Sequence, residues 1–430
     1  MTDTTDPRLR SFIPVPPESH FPIQNLPFGI FVPRVGGPPR AGVAIGDQIL
    51  DLSELERRGL LDVQGHTGRH KSLFDQPSLN AFMACGRRVW KIVRERLSLL
   101  LRDDEPLLRD DAHLRRAALV PMNEAEMLLP VEIGDYTDFY SSREHATNVG
   151  AMFRGPQNAL MPNCLHLPVA YHGRASSVVV SGTNLHRPNG QTMADNAPGP
   201  VFGPSRSVDF ELEMGTLIGP ENALGEPIAV ERARDHIFGL ALVNDWSARD
   251  IQRWEYVPLG PFLAKSFGTS ISPWIVTLDA LEPFRTAGPS QDPQPLAYLR
   301  GNGEAAYDVH LEVLLQGAGM KEPVRICRSN LRHLYWNVCQ QVAHHTSNGC
   351  NLRTGDLLAT GTISGPEPDS RGCLLELTTA GRAPLALPTG AQRAFLEDGD
   401  RVTITGWCQA DGYRVGFGEV TGTLLPAKSK

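Results

Sequence analysis

The sequence predicts a mainly β protein, and three observations carry that reading. Gly and Pro are both abundant, 41 and 35 of 430 residues, which favours turn-rich sheet structure over helix bundles. From Val131 onward, short apolar runs are separated by Gly, Pro and Asn turns. Strands and helices do not alternate regularly, which argues against a doubly wound parallel sheet.

Taken in order, residues 1–10 are polar and read as a disordered tail. Short strands over 41–45 and 48–50 flank Gly46-Asp47, a two-residue hairpin signal. Ser78 opens a helix whose apolar positions Leu79, Phe82, Met83, Val89, Val93, Leu97 and Leu100 keep close to the helical period. The charged stretch 102–116 reads as a solvated connector. A boundary between 115 and 130 divides an N-terminal domain, 11–125, from a C-terminal one, 126–430. In the second domain, strands are expected over 176–180, 208–214, 237–243, 274–278, 309–315, 356–360, 374–377 and 401–405. Helices are expected over 247–256 and 330–344, the latter capped by Ser329.

Composition bounds the function. A net charge of −7 argues against a nucleic-acid surface, while leaving room for a small anionic substrate held by local cations. Seven cysteines with no CxxC pair read as reduced thiols in a cytoplasmic protein. No apolar run approaches membrane-spanning length, and the N-terminus lacks the order of a signal peptide.

Chemistry concentrates between Val208 and Thr269. Val208-Asp209-Phe210-Glu211-Leu212-Glu213-Met214 alternates apolar and acidic residues, so on a strand Asp209, Glu211 and Glu213 share one face. Neighbours on such a face lie about 6.6 Å apart. Glu211 and Glu213 are thus able to converge on one small object; the competing reading is an edge strand with a wet face. Residues 236–243 are almost continuously apolar, as in a strand buried on both sides. The run stops at Asn244-Asp245, where Asp245 reads as an active-site acid or a helix cap. The helix that follows puts Arg249, Gln252 and Tyr256 on one stripe. Lys265 sits alone in the apolar loop 258–269, whose surroundings favour burial beside carboxylates. Three acids with no cysteine or clear histidine pair suit calcium, magnesium or manganese better than zinc.

Other candidates are scattered. Within the polar and aromatic segment 134–145, Asp138 is a candidate fourth carboxylate, with Asp135 competing, and His145 a candidate general base. Arg154 and Tyr171 are candidates for binding a carboxylate, against a surface ion pair and a core tyrosine. His344 and His345 are adjacent on a helix, do not face one another, and read as core and cap residues. Gly361-Thr362-Ile363-Ser364-Gly365 lacks the lysine of a phosphate loop and reads as a substrate-lining turn. Glu376, an acid inside an apolar strand, must be paired or functional if that face is buried.

Together these residues resemble the fumarylacetoacetate hydrolase family over nearly the whole chain, from Ser11-Phe12-Ile13-Pro14-Val15 to 411–418. The most specific stretches are 135–154, 171–183 and 244–273. The resemblance implies a small N-terminal SH3-like β-barrel, a C-terminal mixed β-sandwich roll, and a homodimer. It implies hydrolysis of the carbon–carbon bond of 4-fumarylacetoacetate, a small diketo acid, to fumarate and acetoacetate at the end of tyrosine breakdown. The family's metal ligands fall on Asp138, Glu211, Glu213 and Asp245, with Lys265 and Thr269 lining a second ion position. The implied cofactor is a divalent cation, calcium and/or magnesium. The family's catalytic histidine falls on His145 and its orienting acid on Glu376. Substrate contacts fall on Tyr140, Arg154, Tyr171, Gln252, Tyr256 and Thr362, while Arg249, Gln252 and Lys265 match its transition-state stabilisers. A related lyase on the same fold would need the acids but not the N-terminal module. A calcium-binding scaffold would leave His145, Arg249, Gln252 and Lys265 without a purpose.

Overall fold

The apolar run after His236 becomes the strand Ile237–Asp245, at the centre of an eight-stranded mixed sheet. This is seen in a computed structural model that describes residues 3–61, 63, 72–301 and 305–428. Leu212–Ile218 and Thr269–Ile271 flank the central strand, both antiparallel to it. Leu357–Ala359, Tyr136–Phe139 and Ala170–His172 extend the sheet on one side, and Val178–Val180 ends it on the other.

Side chains along the central strand alternate between two cores. Ile237, Leu240 and Leu242 pack into one cluster with Leu311, Val313, Val402, Ile404 and Val420 of a second, five-stranded sheet. Phe238, Ala241 and Val243 pack into another cluster, shared with the N-terminal unit. The strand is therefore buried on both faces, as its unbroken apolar run requires.

In the N-terminal unit the strand order is Leu119–Pro121, Gln48–Asp51, Arg40–Ile45, Phe28–Pro33, Ala125–Leu128. Its two outer strands follow one another in sequence across a single 3-10 turn, Met122–Glu124, an arrangement compatible with the small barrel that the sequence resemblance implies. Because Ala125–Leu128 pairs with Phe28–Pro33, we place the division between the units after Leu128.

Several local expectations give way to tertiary structure. The helix after Ser78 is broken at Gly86, whose φ of +78° ends one segment, Asn80–Met83, before Arg87–Leu101 begins. The stretch 102–116 is more than a connector, since Glu105 and Asp111 cap the helices Pro106–Arg109 and Ala112–Ala118. Residues 3–10 are tied down: Thr4 is buried and its Oγ1 accepts from Arg94 Nε at 2.8 Å. The expected strand 208–214 is interrupted after Asp209 and resumes at Leu212. Of 274–278, only Val276–Thr277 is strand. The helix expected over 330–344 starts at Val338, because Asn337 and Gln340 form a capping box, while Ser329 lies in the strand Val324–Asn330. Residues 374–377 are one helical turn, Leu374–Leu377, not a strand. Among the described residues, no helix is long and apolar enough to cross a membrane.

Phe238 joins the two units, with its ring 5.7 Å from those of Phe28 and Phe82 and 5.1 Å from Trp90. Phe238→Ala should therefore lower the unfolding free energy by about 3–5 kcal/mol. Urea melts would measure it, and a loss below about 1 kcal/mol would show that this contact does not hold the units together.

Candidate active site

Three strands of the sheet, Tyr136–Phe139, Leu212–Ile218 and Ile237–Asp245, bring acids to one rim of the face that the N-terminal unit covers further along; the last two are neighbours, and Leu357–Ala359 lies between them and the first. By alternation Glu213 shares a face with Leu217, Asp245 with Val243, and Asp138 with Tyr136, all of which belong to that core cluster. Glu211 joins them from the break before Leu212. Asp138, Glu211, Glu213 and Asp245 bring one oxygen each within 4.8 Å of one another, and all four are buried. The wet-edge reading fails, because the strand carrying Glu213 is paired on both sides. Asp209 is not in this group, since the interruption turns it elsewhere. Asp135, the competitor of Asp138, lies at the surface 2.6 Å from Arg353.

Two cations face these acids. Lys265 Nζ donates to Glu211 and, at 2.6 Å, to Asp245. Arg249 Nη1 lies 2.8 Å from Glu211 Oε1. Thr269 Oγ1 donates to Asp245 Oδ1 at 2.6 Å and Tyr171 OH to Oδ2 at 3.3 Å. The Gly361 N–H donates to Glu213 Oε2 at 3.0 Å. Asp138 Oδ1 and Glu213 Oε1 are buried with no hydrogen-bond partner.

Lys265 and Arg249 face these four carboxylates, and Arg249 is shared with a fifth, Asp209, so acids outnumber cations here, and two oxygens lack partners. This donor set, all oxygen and over-charged, fits a divalent cation. The titration of the acids follows the same arithmetic. Burial, reinforced by Asp245, pushes Asp138 well above the carboxylate range, and burial with Asp138 and Asp245 does the same to Glu213. Burial would also raise Glu211, but Arg249 and Lys265 overcome it and hold that carboxyl low.

The second centre is His145. It lies in the first turn of the helix Arg143–Arg154, where Ser142 Oγ accepts the His145 N–H at 3.1 Å, and Gly155 at φ +80° ends the helix. His145 Nδ1 is 2.6 Å from Glu376 Oε2. Glu376 also accepts from Ser364 Oγ at 2.7 Å, Asn148 Nδ2 at 2.8 Å and Cys373 Sγ at 3.2 Å. Burial opposes ionisation of Glu376, yet His145 and these donors bring its pKa down to about 2. With Nδ1 engaged, Nε2 is the ring nitrogen left to accept a proton. The edge of the Tyr140 ring packs on the imidazole, centroids 5.1 Å apart.

Between the two centres lies the Arg249 guanidinium. Its Nε donates to Asp209 Oδ2 at 2.9 Å and its Nη1 to Gln252 Oε1 at 3.2 Å, while Nη2 is buried without a partner. Thr362 is buried beside Gly361. Two sequence candidates stay apart from the cluster. Arg154 is exposed and donates to the carbonyls of Asn158 at 3.1 Å and Ala159 at 2.7 Å. Tyr256 ends its helix with 45% of its surface exposed. Sequence reasoning missed Asn148, Ser364 and Ser142. Asn148 had a usable signal, since it lies one turn past His145 and so on the same helix face.

The sequence agrees with this geometry. The family profile described as fumarylacetoacetate (FAA) hydrolase C-terminal matches residues 135–424, and that described as fumarylacetoacetase N-terminal matches 24–130. The chain belongs to the fumarylacetoacetate hydrolase family. It is 58% identical over 419 residues to the fumarylacetoacetase of Arabidopsis thaliana and 56% identical over 417 residues to that of Homo sapiens. Each alignment covers 97% of this chain and 99% of the relative. A solved fumarylacetoacetate hydrolase from the psychrophile Exiguobacterium antarcticum shares the fold, with a TM-score of 0.51 at 18% identity, over 94% of this chain and 100% of that one.

In this member of the fumarylacetoacetate hydrolase family, cation uptake should expel protons. Asp138 and Glu213 titrate above their usual range without a cation and must be ionised to bind one, so apparent affinity should rise with pH. Calorimetric titration with calcium in buffers of different ionisation enthalpy should show release of about one to two protons. Buffer-independent heats would contradict this.

Proposed function

We infer that this chain hydrolyses the carbon–carbon bond of 4-fumarylacetoacetate, giving fumarate and acetoacetate, and so completes tyrosine breakdown. The observation that carries the reading is a buried imidazole–carboxylate pair standing beside a four-acid cation cluster, in a chain 58% identical to a fumarylacetoacetase along nearly its full length.

Asp138, Glu211, Glu213 and Asp245 would hold a calcium or magnesium ion, and Lys265 and Thr269, both bonded to Asp245, would line a second ion position. Such a cation, when bound, orients diketone oxygens and spreads the negative charge that develops on them. His145 Nε2 removes a proton from water, whose oxygen attacks the carbonyl next to the double bond. Glu376 keeps Nδ1 protonated and steadies the imidazolium that forms. Arg249 Nη2, Gln252 and Lys265 meet the tetrahedral oxyanion. When that intermediate collapses, the carbon–carbon bond breaks. Its electron pair leaves with the acetoacetate portion as an enolate, whose carbon takes the proton that His145 removed from water, returning the imidazole to its neutral form. Tyr140, Tyr171, Tyr256, Thr362 and Arg154 hold the ends of the substrate. Arg154 reaches it only by releasing the carbonyls of Asn158 and Ala159.

We further propose that the enzyme works as a homodimer in the cytoplasm. An exposed apolar run, Trp254, Tyr256, Val257, Leu259, Phe262 and Leu263, is the kind of surface a second copy buries. Cys164, Cys327, Cys339, Cys350, Cys373 and Cys408 form no disulfide, which suits a reducing compartment.

Loss of diketone absorbance on adding enzyme tests the reaction, and a chelator should abolish it. His145→Ala should lower kcat by about 10²–10⁴-fold while leaving cation binding intact; retained turnover would remove the base assignment. Asp245→Ala should weaken the cation by more than the about 10–100-fold typical of a merely supporting group. An unchanged titration would remove Asp245 as a ligand.

A further inference from the structure

Asp209 belongs to the acidic alternation with Glu211 and Glu213 but not to their cluster. Its strand, Val208–Asp209, pairs with Ser247–Ala248, which sets its carboxylate next to the root of Arg249. The side chain is completely buried. Oδ2 accepts from Arg249 Nε at 2.9 Å and from the Leu375 N–H at 2.9 Å. Oδ1 accepts from the Leu374 N–H at 2.7 Å and from the Phe210 N–H at 2.9 Å. Leu374 and Leu375 open the turn Leu374–Leu377, whose third residue is Glu376. That turn has no cap of its own, since the preceding Cys373 makes no side-chain cap hydrogen bond.

One carboxylate therefore holds two things at once. It fixes the plane of the guanidinium, so that with Nε on Asp209 and Nη1 on Glu211 and Gln252 only Nη2 stays uncommitted. It also fixes the turn from which Glu376 reaches His145. A cap alone would need only a neutral oxygen acceptor such as Ser or Asn. A buried full charge is a costlier choice, and here it is matched by one partner, Arg249. We propose that Asp209 is a positioning residue, which sets the Arg249 guanidinium and the Glu376 turn in one frame and so aligns the oxyanion donor with the base. The proposal rests on the reaction inferred above.

Asp209→Asn keeps the size and one acceptor but puts an NH₂ group against two donors, either Arg249 Nε and the Leu375 N–H or, in the other orientation, the Leu374 and Phe210 N–H groups. With fumarylacetoacetate as substrate, the expected result is a kcat about 100-fold below wild type, the scale of a sub-ångström misplacement of a catalytic group. KM and calcium affinity should stay within about threefold of wild type, because Asp209 itself bonds none of the four acids and none of the substrate contacts. Asp209→Glu restores the charge and should recover at least about tenfold of the loss, whereas a role in folding alone would change thermal stability without this split between kcat and KM. Wild-type activity with an unimpaired Asp209→Asn variant would overturn the positioning role alone. Inactive wild-type enzyme would overturn the reaction and this proposal with it. Should Asp209→Asn not fold, Asp209→Glu carries the test: a kcat loss with KM retained supports the proposal, and insolubility of both variants would make Asp209 a folding residue.

Discussion

Four carboxylates buried at one point are the constraint around which the rest of this molecule is arranged. Charges of one sign in a low-dielectric interior repel strongly, and a buried ion that is neither paired nor coordinated costs several kcal/mol. The protein meets that cost with Lys265, Arg249, a threonine hydroxyl and a backbone N–H, and stops short of neutrality. Complete neutralisation by side chains would leave nothing for a cation to do. The two oxygens without partners, on Asp138 and Glu213, belong to the acids that form no ion pair among the described residues. Incomplete compensation is thus a property of the site and follows from which acids Lys265 and Arg249 reach.

How the chain holds such a cluster follows from the two-sided sheet. The central strand is apolar on both faces, so each face has to be covered: one by the second sheet, the other by the N-terminal unit. The acids occupy the end of the face under the N-terminal unit. They continue the inward alternation of Leu217, Val243 and Tyr136 with polar residues where the apolar cover ends. Register places them together: Asp138 is paired with Tyr171, and Asp245 with Thr269, so the tyrosine and threonine that bond Asp245 arrive through strand pairing.

Much of this was legible in the sequence wherever the information is local. The central strand, the hairpin at Gly46 and the helix after Ala248 are set by periodicity and turn residues, and the structure has them at nearly those positions. What was not legible depends on partners far along the chain. Residues 374–377 look like a strand because their apolar content is high, but their first N–H groups are met by Asp209, 165 and 166 residues earlier, and the segment winds into a turn. Asp209 is expected on one face with Glu211 and Glu213 for the same reason: its alternation is local, while the break that redirects it comes with pairing to Ser247–Ala248. The start of the helix at Val338 could have been read, since Asn337 and Gln340 have capping-box spacing, and Ser329 merely offered an earlier, weaker signal. Arg154 could not be placed from sequence either, because its guanidinium bonds the carbonyls of Asn158 and Ala159 in its own loop, contacts that no local pattern announces.

The two centres are held in register by backbone, through the segment that follows Ala359. Thr360 N–H bonds to Met214 O and Ile363 N–H to Leu212 O, so Gly361 and Thr362 together oppose the single residue Glu213. That is a β-bulge, and it needs glycine at its first position: φ is +76°, and a Cβ there would lie 2.1 Å from the Phe139 carbonyl oxygen. The bulge turns the Gly361 N–H onto Glu213. Three residues later, Ser364 Oγ bonds to Glu376, and its carbonyl accepts from Ser142 Oγ, the cap of the helix that bears His145. Cation ligand, orienting acid and base are therefore linked through one short stretch of main chain, with no long flexible side chain in the path. A site built this way keeps its geometry before substrate arrives, which is what stabilising a short-lived oxyanion demands.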